Sequence, residues 1–475
     1  VTILFAAIAL TPSSTIQARE LVDQAMGILG GRKKLESIRQ LSTTVSGHNY
    51  LVEQSERPTG PYVTTYGRGS RNFDFDRLSE TTELTFAGLV YGEREIKRTY
   101  GVERGVGKGA LPLESFLSLR RLALGPERAL IQAADAADLA LGTDTVFNGV
   151  PHRVVTFKWG EIPVRLFLKK GTGAPSGVET TSQLSFPWTT WGDVPMTTHW
   201  GNWQVLKGGV MEPTQFTTEI GSYPVSDETI LSSSVTLGPG TVSVGLPQPS
   251  AKEDAAGMLA RYRPVKVAEG ITEYVGPFNT FVIEQPDGLV IIEPVFTSAF
   301  AGAFLDRLAK DKPGKRVKAV IATDDAWPHF GGLRTFVARG IEVIVLDLNL
   351  PLAQRFSNAV HRSIPDELAL KPTRPRFRTV RKSLTIGTGS TRFTLYPIAG
   401  QGSERMLMAY FPESRLLYGS DLLQKQGEGF FFPAYPKELM EAVSREGLDV
   451  RSVFAEHLEP MPWKVVTDFL SRVMS

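Results

Sequence analysis

The chain has 475 residues, which at roughly 150 per domain gives about three domains, and two large ones fit the length equally well. With 42% hydrophobic and 21% charged residues it has an ordinary globular composition, and a net charge of +2 excludes the strong positive field of a dedicated nucleic-acid binder. The absence of cysteine excludes disulfides, thiolate catalysis, cysteine-ligated zinc and iron–sulfur clusters together.

Ile3 to Leu10 is an apolar run of the length of a signal-peptide core, followed by a small-residue cleavage site at Ile16-Gln17-Ala18. It predicts export to the periplasm or beyond, the alternative being a buried N-terminal strand or helix. No later stretch reaches the roughly 18 uninterrupted apolar residues of a membrane span, so none is expected in the mature protein. From Arg19 the spacing of Leu21, Val22, Ala25, Ile28 and Leu29 predicts a helix that stops at Gly30-Gly31. The pattern then changes to period two around Phe73, Val154, Val164 and Gln215, broken by Gly and Pro clusters, which predicts antiparallel sheet. A helical insertion is expected over about Leu113 to Leu141, and the proline-bearing run Gly238 to Ser250 marks the domain boundary. The expected organisation is a signal segment 1–18, a β-rich domain 19–237, a linker 238–262 and a second domain 263–475.

The second half predicts a hairpin about Gln285-Pro-Asp-Gly288, a helix from Ser298 to Lys310 and a strand Val317–Ala322. A loop from Thr323 to Phe330, a helix after Gly331-Gly332 and a buried strand Ile341–Leu346 follow. A loop at the C-terminal end of such a strand is where α/β sheets place their chemistry.

The order of these elements resembles the metallo-β-lactamase superfamily over roughly Val265 to Val473. The resemblance is carried by Thr323-Asp-Asp-Ala-Trp-Pro-His-Phe-Gly-Gly332, Ile398-Ala-Gly400, Met406-Leu-Met-Ala-Tyr-Phe-Pro412, Leu416-Leu-Tyr-Gly-Ser-Asp421 and His457. It implies a C-terminal αββα sandwich. Gly30-Gly31, Gly-His-Asn-Tyr50 and Trp191-Gly-Asp-Val194 resemble the β-rich domain of an exported branch, similar to lipoprotein-carrier half-barrels.

The family's chemistry runs through a Thr-His-x-His-x-Asp-His-x-Gly-Gly loop holding two metal ions that activate a shared water. Here the matching positions are Asp324, Ala326, Pro328 and His329, so only the last ligand is retained, and the later histidine position falls at Gly402. Asp421 matches the bridging carboxylate and His457 the final histidine. The second half holds only three histidines, His329, His361 and His457, too few for the usual dinuclear site. The resemblance leaves His329, Asp421 and His457, a set that suits one zinc, iron or manganese ion, or that holds no metal and forms a polar cavity.

Other features admit plainer readings. Trp188, Trp191, Trp200 and Trp203 suggest sheet core and a turn, or an aromatic wall for an apolar ligand. Lys371 to Lys382 carries six basic residues and no acid, and suits a charged strand edge sooner than a surface that attracts phosphate or a membrane. His361 is expected on an exposed helix face, and Gly105 to Gly109 lacks the ending of a phosphate loop.

Two functions are therefore expected. One is an exported metallo-hydrolase-like protein acting on a small ester, lactone or amide, with Asp324 or Asp325 orienting water or acting as base. The other is an inactive relative that binds an apolar ligand or partner in the cell envelope.

Overall fold

The computed structural model describes residues 12–52, 62–88, 94–101, 113–185, 188–239, 254–294 and 296–473. The apolar run Ile3–Leu10, Gly105–Gly109 and most of the Gly238–Ser250 stretch lie outside these residues. Two compact units emerge, one of residues 1–51, 64–182 and 194–251, the other of residues 52–63, 183–193 and 252–475.

The first unit opens with α1 (Pro12–Ile28), which contains Ile16–Ala18 and buries Ala18 completely. Gly30 and Gly31 both take positive φ, 114° and 91°, and the Gly31 N–H donates to the Met26 carbonyl, closing the helix end as its sequence predicts. After α2 (Arg32–Glu36) the chain forms β1 (Ile38–Leu51), β2 (Val63–Asp74), β3 (Ser79–Ala87) and β4 (Arg94–Gly101). The helical insertion is α3 (Leu113–Leu124) and α4 (Pro126–Asp135), split by Gly125 and Pro126. Eight strands follow: β5 (Ala140–Leu141), β6 (Thr145–Phe147), β7 (Val150–Trp159), β8 (Ile162–Lys169), β9 (Pro175–Gln183), β10 (Asp193–Val205), β11 (Met211–Ile220) and β12 (Tyr223–Leu237). All join one antiparallel sheet in the order β4-β3-β2-β1-β12-β11-β10-β9-β8-β7-β5, with β6 on β7. Alternate residues of β7 and β10 are buried, the period-two signature of a sheet with one covered face.

The second unit is an αββα sandwich, as the family resemblance implies. Its elements begin with α5 (Ala255–Ala260), β13 (Arg263–Ala268), β14 (Ile271–Val275), β15 (Thr280–Gln285) and β16 (Gly288–Ile292). Next come α6 (Ser298–Asp311), β17 (Val317–Ile321), α7 (Leu333–Ala338), β18 (Glu342–Leu346), α8 (Leu350–Ser357), α9 (Glu367–Leu370) and β19 (Phe377–Val380). Strands β13 to β19 pair in chain order, antiparallel up to β16 and parallel from there. The second sheet contains β20 (Leu384–Ile386), β21 (Phe393–Pro397), β22 (Leu407–Phe411) and β23 (Leu416–Tyr418). After the small hairpin β24 (Lys425–Gln426) and β25 (Gly429–Phe430) and the helix α10 (Ala434–Arg445), it is completed by β26 (Ser452–Ala455) and β27 (Leu458–Pro462). The chain closes with α11 (Trp463–Val473).

Phe281, Ile283, Ile292, Ile321 and Ile344 of the first sheet interleave with Leu395, Leu407, Phe411, Tyr418 and Phe454 of the second. Met408, Leu417 and Val453 turn to the other side and pack under Leu439 and Val443 of α10 and Val466 and Leu470 of α11. Every residue of β16 is buried, as a strand covered on both faces requires. The basic run Lys371–Lys382 contains β19 at the edge of its sheet, where charge discourages further pairing.

Candidate functional site

Four strand ends converge. β16 and β17 run parallel in one sheet, β23 and β26 run parallel in the other, and the residues just beyond their C-termini meet. From β16 comes Glu293, from β17 Thr323 and Asp324, from β23 Ser420 and Asp421, and from β26 Glu456 and His457. The Leu407 N–H donates to the Thr323 carbonyl and the Glu456 N–H to that of Ser420, so backbone bonds fix these ends to each other. Glu293 and Ser420 take left-handed φ of 73° and 54°, an unfavourable conformation for residues with a side chain that occurs often at functional sites.

His329 sits on a 3-10 turn, Trp327–Phe330, that follows the β17 loop. Gly331 and Gly332 are required by packing: a Cβ on Gly331 would lie 1.7 Å from the Phe296 carbonyl oxygen, and one on Gly332 would lie 2.6 Å from Ala301. The Gly332 N–H donates to the Pro294 carbonyl at 2.7 Å, which pins the turn beneath the β16 end. On its other side Trp327 is held edge-on by Trp188 and Trp191 at 4.7 and 4.8 Å between ring centroids, all three rings buried.

The His329 ring is 2% exposed and ringed by acids. Its Nδ1 is 3.1 Å from Glu293 Oε2 and 3.2 Å from Asp324 Oδ2, while its Nε2 meets Glu456 Oε2. Glu293 is fully engaged, because its Oε1 accepts from the hydroxyls of Thr323 and of Tyr418, the latter at 2.9 Å. Ser420 in turn lies 2.6 Å from Thr323 Oγ1. Asp421 Oδ1 accepts from Gln424 at 2.9 Å and lies 3.2 Å from His457 Nε2. His457, 26% exposed, is the most open member of the group.

Two sets of donor atoms lie within 4.8 Å of one another: Asp324, His329 and Asp421, and Asp421, Glu456 and His457. The three residues expected from the sequence, His329, Asp421 and His457, are thus brought together around Asp421, and Asp324 joins them. Asp325 does not; it is buried beside Arg405, 3.8 Å away. At Gly402, the expected position of a missing histidine, the backbone N–H donates to Glu438 Oε1 at 2.9 Å, and Ser403 donates to the same carboxylate. Glu293 and Glu456 belong to no motif in the sequence; their one signal is that each is an acid ending an apolar run, Leu289-Val-Ile-Ile and Ser452-Val-Phe-Ala.

The electrostatics divide the acids. Burial pushes Asp324 and Glu456 well above the ordinary carboxylate range, and their acidic neighbours add to it. Burial also raises Asp421, but the hydrogen bond and charge of His457 outweigh it and leave the group below its ordinary value. Burial opposes a charged imidazole at 329, yet Asp324, Glu456 and Glu293 together hold His329 well above the usual histidine range. The site therefore favours the ionised form of Asp421 and the protonated forms of Asp324, Glu456 and His329.

His361 departs from expectation. Instead of lying on an exposed helix face it is 6% exposed in the loop after α8, because Arg334 binds both oxygens of Asp366 and the carbonyls of Phe356, Ser357 and Ala359, drawing that loop inward. The tryptophans are also divided: Trp188 and Trp191 pack on Trp327, while Trp200 is buried in β10.

No family model and no curated protein match the chain. Among solved structures it is similar to a metallo-β-lactamase from Pontibacter korlensis at 15% identity and a TM-score of 0.35, covering 45% of this chain and 99% of that one. A metallo-β-lactamase from Hirschia baltica gives 17% identity and 0.33, covering 44% of this chain and 96% of that one. The inverting sec-alkylsulfatase Pisa1 from Pseudomonas sp. gives 17% and 0.31, with 44% of this chain and 40% of that one covered.

Proposed function

We propose that the second unit is a metal-assisted, hydrolase-like catalyst acting on a small ester, lactone or amide, with one divalent ion seated on Asp421. The supporting observation is that Asp421, held in its ionised form, belongs to both donor sets. The donor chemistry fits a cation: Asp324 Oδ2 and both oxygens of Glu456 are buried without accepting a hydrogen bond, and four acids stand against two imidazoles. A cation would offset the cost of ionising these buried carboxyls, which share the His329 ring as their counter-charge. Zinc, iron and manganese all accept such a mixed set.

A divalent ion there would supply Lewis acidity. The chain's own residues do the rest. Glu293, held by Thr323 and Tyr418, takes Nδ1 of His329, so that Nε2, which meets Glu456 Oε2, is the nitrogen that would bind the ion. Asp324, whose carboxyl is raised by burial, is better placed than Asp325 to exchange a proton at the site. His457 stands at the solvent side and orients Asp421. Export, supported by the Ile3–Leu10 run, would place this activity in the cell envelope or beyond.

Elemental mass spectrometry on untagged protein, before and after repletion with zinc, iron or manganese, tests the proposal. About one equivalent in the wild type, lost in Asp421→Ala and His329→Ala, is expected. No metal after repletion would overturn it. It would favour the second reading, an inactive binding protein, for which the relevant observation is that Glu293 and Glu456 already occupy both nitrogens of His329.

A further inference from the structure

Resting on that reading, we propose that Glu456 is itself a ligand of the ion, supplying with Asp421 the anionic oxygens that make up for the imidazoles missing at Asp324, Ala326 and Gly402. The donor set is then His329 Nε2, Asp421, Glu456 and His457, two imidazoles and two carboxylates. Nothing in the loop motif points to Glu456; its place does. It follows β26 directly, its backbone N–H is bound by Ser420 and its carbonyl by Asn279, so a fixed backbone brings its side chain within 4.8 Å of the donor atoms of Asp421 and His457.

The carboxylate is fully buried, and neither oxygen accepts a hydrogen bond. Its neighbours are His329 Nε2 and, at 4.0 Å, His457 Nε2, which itself lies 3.2 Å from Asp421 Oδ1. A glutamate kept only to neutralise His329 would be redundant, because Glu293 and Asp324 already flank Nδ1 of the same ring. Nor does Glu293 compete for the role: hydroxyls of Thr323 and Tyr418 and the His329 Nδ1 use its oxygens, which makes it an orienting group. A set with equal numbers of carboxylates and imidazoles is harder than one of imidazoles alone, and accepts manganese as readily as its chemistry allows any site to do.

The test uses the full chain, with Mn²⁺ as probe, and two measurements on wild type and Glu456→Gln: calorimetric Mn²⁺ affinity, and the thermal midpoint of metal-free protein. If Glu456 is a ligand, the amide lowers affinity by at least about tenfold. The metal-free midpoint reports separately on the ion pair that Glu456 Oε2 makes with His329 Nε2, and it falls in either case. If Glu456 serves only as the counter-ion of His329, the midpoint falls while the Mn²⁺ affinity is unchanged, which overturns the inference. Asp421→Ala loses Mn²⁺ in either case and serves as the control. A wild type that binds neither Mn²⁺ nor Zn²⁺ overturns this inference and the hydrolase reading together. A wild type that binds, matched by Glu456→Gln, overturns this inference alone. Should the amide variant fail to fold, Glu456→Asp replaces it: weakened binding supports the assignment, and unchanged binding refutes it.

Discussion

His361 gives the protein a pH dependence of stability that can be worked out in advance. Burial, and next the Arg334 guanidinium, push its imidazole down to about 4 from 6.5, against the opposing pull of Asp366 and Asp193. The folded protein accepts the neutral ring while the unfolded chain takes up a proton, so more protons are bound on unfolding between these two values. The stability involved is fully present above pH 6.5 and is lost as pH falls toward 4, with a slope of about 1.4 kcal/mol per pH unit and a total of about 3 kcal/mol. Urea unfolding of wild type and His361→Gln, followed by tryptophan fluorescence at about pH 7, 6 and 5, isolates this contribution from other titrating groups. Across that range the wild type should lose about 2 kcal/mol relative to the variant. A stability difference that does not change with pH would refute the reasoning, and with it the claim that the ring is held neutral.

Two more outcomes follow from local geometry. Gly331→Ala places a Cβ 1.7 Å from the Phe296 carbonyl and should cost about 1–3 kcal/mol, seen as a lower thermal midpoint; an unchanged midpoint would mean the turn can shift freely. Glu273 is buried, and its carboxyl is pushed up to about 8, so the folded state holds its proton while the unfolded chain releases it above 4.5. Its contribution is unfavourable and grows from pH 4.5 to about 8, so Glu273→Gln should gain stability over the wild type as pH rises through that window, and a gain independent of pH would contradict this.

Much of this architecture is legible in the sequence because it is local. The hairpin at Gln285–Gly288, the all-apolar strand Leu289–Ile292 and the helix closed by Gly30-Gly31 each follow from a few adjacent residues. The site is legible only where a residue belongs to a motif. His329, Asp421 and His457 can be found by resemblance, but Glu293 and Glu456 are marked only as acids ending buried strands. Which strand ends meet is decided by how two sheets pair and pack, over separations such as the 125 residues between Glu293 and Tyr418. The burial of His361 is hidden in the sequence for a similar reason, since it depends on Arg334 and Asp366 rather than on the helix before it.

The segment 183–193 has a consequence for any attempt to dissect the chain. It lies in sequence between β9 and β10 of the first unit, yet it is built into the second. There it contributes Trp188 and Trp191 against Trp327, and the Asp193 carboxylate that accepts from the Arg362 and Ser363 N–H groups. The sandwich is therefore not a contiguous stretch of polypeptide. A fragment starting at Asp254 would bare the Trp327 and Phe356 rings and leave two amides without their acceptor, two residues upstream of His329 in the first case. Excision at the apparent linker should yield aggregation-prone material with a loosened His329 turn. A functional short form would have to carry those eleven residues grafted back, or supplied in trans as a peptide.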